Sequence, residues 1–400
     1  MKINIILLSV FFTFFTHNTI AIETSLRGFG SIIGTSLLSD EGYWVKHPSG
    51  AGLYDDDVGF DLTEETLIGL QGSFNFDDKL SVTAQVISRG QDDWEPNIEQ
   101  FYVSYDLTSA LNFKVGKIKN PVYLFSDSMD IHYSFGWVRT PGAAYSLSAN
   151  FIEGLSAMYQ TSFGDISNNT LIFYGRSHKK NDPFLTELFG NRGLVDIGLT
   201  TAFTTGEVKD ESKDFFDPER WYTISDVETD IQDSYGISSE FYWEDLTLHL
   251  AFMEAGGEVD TLTYETGTKS IQKQTSRDFY DAAINYDDGN WVAIVEWNRY
   301  VDVYSSWYAT IGMNFGDWRV LLTQGSFNGE VTPPGGGTAF PKQEISDTTT
   351  LSLRYDYTSG IAFKAELNYF TNEGSLVVKD RDGDGEIEST VLSFAVDFVF

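Results

Sequence analysis

The chain has 400 residues, no cysteine, 36 glycines and a formal net charge of −33. Without cysteine there is no disulfide framework, and the acidic balance excludes nucleic acid as a partner, because phosphates would be repelled. Nine Trp, 21 Tyr and 31 Phe are far more aromatic side chains than a soluble core needs, and they point to rings seated at two lipid headgroup levels.

The N-terminus opens with Lys2. Ile3 to Phe15 follows, apolar except for Asn4, Ser9 and Thr13, and Thr19-Ile20-Ala21 offers small residues where a signal peptidase reads. Residues 1–21 are expected to be a signal peptide, too short to span a membrane, with the mature unit being residues 22–400. Beyond it no run of about twenty apolar residues occurs, so no transmembrane helix is expected.

Alternation is the dominant pattern. Leu80, Val82, Ala84 and Val86 alternate with Ser81, Thr83 and Gln85. Trp307, Ala309, Ile311, Met313 and Phe315 alternate with Tyr308, Thr310, Gly312 and Asn314. Leu351, Leu353, Tyr355 and Tyr357 alternate with Ser352, Arg354 and Asp356. Ile361, Phe363, Ala365, Leu367 and Tyr369 alternate with Lys364, Glu366 and Asn368. At the end Leu392, Phe394, Val396, Phe398 and Phe400 oppose Ser393, Ala395 and Asp397. Successive side chains of a strand face opposite sides, so each segment has one lipid face and one water face.

Tight turns are expected at Asp77-Asp78, Thr108-Ser109, Glu244-Asp245, Asp287–Gly289, Gly316-Asp317 and Thr358–Gly360, separated by longer polar segments. Short connections on one side and long ones on the other mark periplasmic turns and extracellular loops. The pattern predicts strands near 24–37, 62–76, 79–90, 98–107, 110–119, 150–163, 168–178, 233–243, 245–255, 278–287, 290–300, 305–315, 317–328, 347–357, 360–371 and 388–400. The fold class is therefore all-β: a transmembrane antiparallel barrel of sixteen strands. Segment 193–204, with a partner near 219–225, would make eighteen. A sixteen-stranded lumen is too wide for side chains to fill.

The segment after the fifth strand, 120–148, carries Pro121, Tyr123, Asp127, Asp130, His132, Trp137, Arg139 and Pro141. With the signal peptide, the strand and loop rhythm and the terminal phenylalanine, the whole mature chain resembles the sixteen-stranded Gram-negative porins, including their phosphate- and dicarboxylate-selective relatives. The resemblance is architectural. It implies a water-filled channel for passive diffusion of small hydrophilic solutes and ions, a third loop folded into the lumen, and a homotrimer. It also implies a barrel-assembly signal at Phe394, Val396, Phe398 and Phe400. On that reading Asp127, Asp130, His132 and Arg139 line a constriction. Opposite wall charges come from Lys114, Arg354, Lys364 and Arg89, setting a transverse field. The dense ladder of arginines and lysines of phosphate-selective relatives is missing, so that specificity is not carried over.

Asp380, Asp382 and Asp384, with the carbonyl of Ile387 and Glu388, match the first half of a calcium loop; Val391 stands where the bidentate glutamate belongs. Calcium there would stiffen a surface loop, and no cofactor is required. Asp55-Asp56-Asp57 and the acids from Glu207 to Asp233 are expected to be solvated loops, suited to divalent cations shared with lipopolysaccharide. The mature histidines are His47, His132, His178 and His249, and none has a nucleophile at a recognisable spacing, so no enzyme is expected. The rival readings are a substrate-specific channel for a small organic acid or sugar, an outer-membrane enzyme, and a secreted soluble β-protein.

Overall fold

The computed structural model describes residues 23–39, 44–45, 53–54, 59–142, 144–145, 147, 150–179, 224–264, 269–273, 276–302, 304–329, 344–373 and 386–400. Sixteen long strands form one closed antiparallel ring. They are β1 (Glu23–Leu37), β2 (Leu67–Asn75), β3 (Leu80–Arg89), β4 (Pro96–Thr108), β5 (Leu111–Lys119), β6 (Phe151–Phe163), β7 (Ile166–Lys179) and β8 (Ile224–Trp243). The ring continues with β9 (Leu246–Ala255), β10 (Arg277–Asp287), β11 (Trp291–Tyr300), β12 (Tyr304–Phe315), β13 (Trp318–Gly329), β14 (Glu344–Thr358), β15 (Ile361–Glu373) and β16 (Glu386–Val399).

The outer face is apolar and open to its surroundings. Near the tight turns stand Phe74, Tyr105, Phe163, Trp243, Trp291, Phe315 and Trp318; towards the long connections stand Tyr174, Tyr235, Tyr280, Trp297, Trp307 and Tyr369. Aliphatic side chains such as Leu250, Ile284, Val295, Ile311, Leu322 and Leu367 lie between the two aromatic levels, all exposed. A closed ring leaves no unpaired strand edge in lipid, and the aromatic levels mark the headgroup zones. The barrel is built to span a membrane.

Two boundaries differ most from the sequence expectation. β2 starts at Leu67 rather than near 62, because Asp61 folds the preceding residues into a turn. Its Oδ1 accepts the N–H groups of Thr63 (2.5 Å) and Glu64 (3.0 Å), and Thr66 Oγ1 donates to the Leu62 carbonyl (2.6 Å). β8 starts at Ile224 rather than near 233, because it outgrows the ring. Residues 224–231 pair with Glu258–Tyr264, which pairs in turn with Lys269–Lys273. The eighteen-stranded alternative fails, since the ring closes with sixteen; segment 193–204 lies outside the described residues.

Closure joins the first and last strands. β1 pairs with β16 from Phe29↔Val399 to Leu37↔Val391, and with β2 along its other edge. Gly28 and Phe400 exchange two backbone hydrogen bonds of 2.8 and 2.9 Å. The Phe400 ring lies over Gly28 so closely that a Cβ there would come within 2.1 Å of it, and Phe398 stacks beside it at 6.3 Å. Gly28→Val should therefore push the terminal ring off the seam and cost about 1–3 kcal/mol. A lower denaturant midpoint in detergent checks this, and an unchanged midpoint contradicts it.

Candidate functional site

Among the described residues, one long connection enters the ring. L3, residues 120–150, leaves β5 and returns to β6, its neck closed by the Asn120 N–H donating to the Asn150 carbonyl at 3.0 Å. Between those points it crosses the lumen and docks on the inner wall at three stations.

The first station is β9 to β12. The Leu124 N–H donates to Glu296 Oε1 at 3.0 Å, and the Tyr145 and Tyr308 hydroxyls both donate to Oε2 at 2.8 Å. Asn298 Nδ2 donates to the Ala144 carbonyl at 2.8 Å, and Tyr123 meets Tyr304, hydroxyl to hydroxyl, at 3.2 Å. Around these bonds Tyr123, Phe135, Trp137, Tyr145 and Leu147 of L3 pack on Met253, Phe279, Val292, Ile294, Tyr300 and Leu321 of the wall. This is a dry core inside the lumen.

The second station clamps the acidic middle of L3. Asp130 accepts from Arg89 at 2.8 Å and from Lys119, while Arg89 also holds Glu99. Burial alone would raise the Asp130 carboxyl, but Lys119 and Arg89 overrule it and hold the group well below the usual carboxylate range.

The third station lies across the seam. Lys364 Nζ donates to the carbonyls of His132 and Trp137, both at 2.6 Å, and also pairs with Asp397. Arg354 Nη1 donates to the carbonyls of Tyr133 (2.5 Å) and Phe135 (2.6 Å), and the Val138 N–H donates to Glu366 at 3.0 Å. Arg139 uses its whole guanidinium. Nε and Nη2 form a fork on Glu65 at 2.7 Å each. Nη2 also reaches Ser393 (2.7 Å) and Thr35 (3.1 Å), and Nη1 reaches Glu366 at 3.4 Å. Arg139 is only 3% exposed and the Glu65 side chain 0%, so this fork is a true interior ion pair.

The expected site residues thus fall into two groups. Asp130 and Arg89 at one station, and Arg139, Arg354 and Lys364 at another, join loop to wall through their charged groups, while His132 contributes its backbone carbonyl, all in contact rather than across water. The transverse field expected between opposed charged surfaces is replaced by direct pairs, because charges this deeply buried persist only with a partner in contact. Asp127 and Lys114 differ. Asp127 is exposed on the 3-10 turn Ser126–Ser128. Lys114 is half-buried on the inner face, its ammonium 5.0 Å from the centre of the Tyr102 ring.

Sequence reasoning missed Glu65, Glu366 and Glu296 as partners. A signal existed for Glu296: it is the one acid in Trp291–Trp297, a stretch apolar on both faces. At the loop-side mouth, burial first, then Asp61, Glu65, Asp92 and Asp93, push Glu64 up to about 7, so this rim loses a charge as pH falls through neutrality. Of the calcium-loop residues, Asp380, Asp382 and Asp384 lie outside the described residues, while Ile387 and Glu388 belong to β16, opposite Asn372 and Thr371.

Arg139→Met should leave Glu65 and Glu366 buried without their cation and weaken the docking of L3 by roughly 3–5 kcal/mol. Protease cleavage within residues 122–147 should rise sharply while the sixteen strands stay intact. Unchanged cleavage would contradict the anchoring role.

No family model matches the chain, and no curated protein does. Solved structures do match. The outer membrane channel DcaP of Acinetobacter baumannii aligns with a TM-score of 0.54 at 8% identity, over 96% of this chain and 99% of that one. The trimer form of OmpT, an outer membrane protein of Vibrio cholerae, gives 0.53 at 11% over 95% and 100%. The anion-selective porin from Comamonas acidovorans gives 0.52 at 13% over 94% and 100%. The chain has the sixteen-stranded barrel fold of the Gram-negative outer-membrane porins.

Proposed function

We propose that this chain is a channel of the bacterial outer membrane through which small hydrophilic solutes and ions diffuse down their gradients, and that L3 sets its aperture. The observation that carries this reading is the seat of L3, inside a ring whose outer face is apolar. A loop held there by buried charge narrows a lumen that is otherwise too wide for selection by size.

Where the inner wall is not covered by the dry core, it is polar, with neutral amides and hydroxyls standing between the charged anchors. Gln85 donates to Gln71 at 3.1 Å, Gln100 donates to Gln85 at 3.2 Å, and Asn112 donates to Ser104 at 2.7 Å. Such a surface exchanges hydrogen bonds with water and hydroxylated solutes without trapping them. The likeness to a trimeric OmpT supports a homotrimer as the working unit.

In planar bilayers the purified protein should give discrete ohmic steps, and neutral sugars should pass up to a sharp size limit. Replacing Ser126–Ser134 by two glycines should raise both step size and limit, and Lys114→Glu should shift the reversal potential towards cations. Insertion without current would overturn the proposal. Current blocked by one solute alone would favour a substrate-specific channel.

A further inference from the structure

One cluster of titratable side chains lies apart from the Asp130 and Arg139 stations. On the inner face beneath the roots of L3, Glu240 of β8, His249 of β9, Asp281 of β10 and Glu296 of β11 lie side by side. Register places Glu240 opposite His249, and Ala283 between His249 and Glu296; Asp281 is two residues from Ala283, on the same face. His249 Nε2 is 3.6 Å from Asp281 Oδ1 and Nδ1 is 3.5 Å from Glu240 Oε1; the His249 and Asp281 side chains are 2% and 0% exposed. Neither Asp281 oxygen makes a hydrogen bond of good geometry, although Glu296 and Asn298 lie beside the carboxyl. Glu296, fully buried, accepts the three bonds from Leu124, Tyr145 and Tyr308 that seat L3. Nε2 of His249 lies 3.4 Å from the Val122 carbonyl of the same loop.

Among the described residues no further cation faces the cluster. The other titratable groups facing it are Tyr242 of β8, Tyr304 and Tyr308 of β12, and Tyr123 and Tyr145 of L3, with the exposed Asp127 of L3 beyond Tyr242. Asn298 and Ser306 are neutral. Among the described residues, Asp281, Glu296 and His249 therefore share a dry pocket, with the Glu240 side chain, 29% exposed, at its edge, and of the four only His249 can become positive. Glu296 already spends its charge on three donors. With His249 neutral, a second anion at Asp281 beside Glu296 would lack a counter-ion, a situation proteins avoid by keeping a proton.

We propose that Glu240, His249, Asp281 and Glu296 form a proton-held seat for L3, which releases the roots of the loop when base strips the cluster of its proton. This deepens the channel reading, since it regulates the same constriction. With the proton in place, one carboxylate anchors Leu124 and Tyr145 and the cluster is quiet. Without it, two neighbouring anions repel beneath residues 122–125 and 144–147, and the loop detaches there while the Arg139 station still holds.

The chain has no cysteine, so a single Ser128→Cys carries one nitroxide label on L3. In liposomes, from about pH 5 to about pH 9, its spectrum should pass reversibly from immobilised to mobile in one step. Asp281→Asn in the same background should stay immobilised throughout, and Asp281→Leu should behave alike. A label spectrum that ignores pH, or the same step in both variants, overturns the proposal. If neither variant assembles, a second label at Thr108→Cys on a tight turn decides: a step shared by both labels overturns it, and a step confined to L3 supports it. Current recorded in parallel separates the two readings. Absence of current at every pH sinks the channel, whereas a normal channel with a silent label sinks the seat alone.

Discussion

Arg139 and the two glutamates it holds, Glu65 and Glu366, are the constraint on which the interior depends. A guanidinium buried beside a lumen would be prohibitively costly alone. Here each of its nitrogens has an acceptor, from the segment before β2, from β1, from β15 and from β16. The pairing ties L3 to the seam where the barrel closes, so strand closure and loop docking support one another. A buried ion pair of this kind adds little net stability compared with an apolar substitute, but it defines one geometry, because removing either partner strands the other. The lumen thus gains a fixed obstacle rather than a loose one.

Docking a loop inside a barrel raises a second demand: its backbone groups need partners. The wall supplies them with side chains. Glu296 and Glu366 take the N–H groups of Leu124 and Val138, while Arg354 and Lys364 satisfy four carbonyls between His132 and Trp137. Wall and loop therefore interlock much as a strand and its neighbour would, without forming strands. The aromatic packing around Tyr123, Tyr145 and Trp137 excludes water from these bonds and strengthens them. It also sets a dry sector, centred on β9 to β13, apart from the charged seam of β14 to β1 and the polar sector of β2 to β5.

Most of the barrel was legible in the sequence because lipid imposes a strict rule. Every second residue of a strand must be apolar, and that rule is local. Ile361–Tyr369 and Leu392–Phe400 show it without ambiguity. The rule failed where it does not apply. Residues 62–66, with one apolar side chain among five, are bent by the Asp61 side chain, and residues 224–232 stand above the ring, where pairing is set by the 258–264 arm. The interior was less legible for a different reason. Arg139, Asp130, Arg354 and Lys364 stood out by type and position, but their partners lie up to 254 residues away, and alternation carries no information about which wall a loop meets. Tyr308 was expected on the water side; it does point inward, yet into a dry core, which only the two-faced apolar run of β11 announces.

Hydrogen exchange of the folded protein in detergent or lipid is the most direct check on this account, because a docked L3 and a surface loop differ by orders of magnitude in amide protection. The amides of Leu124 and Val138, each bonded to a buried glutamate, should exchange as slowly as those of β11 and β15. If residues 122–147 exchange within the time typical of exposed connections, L3 is not seated in the lumen and the account fails.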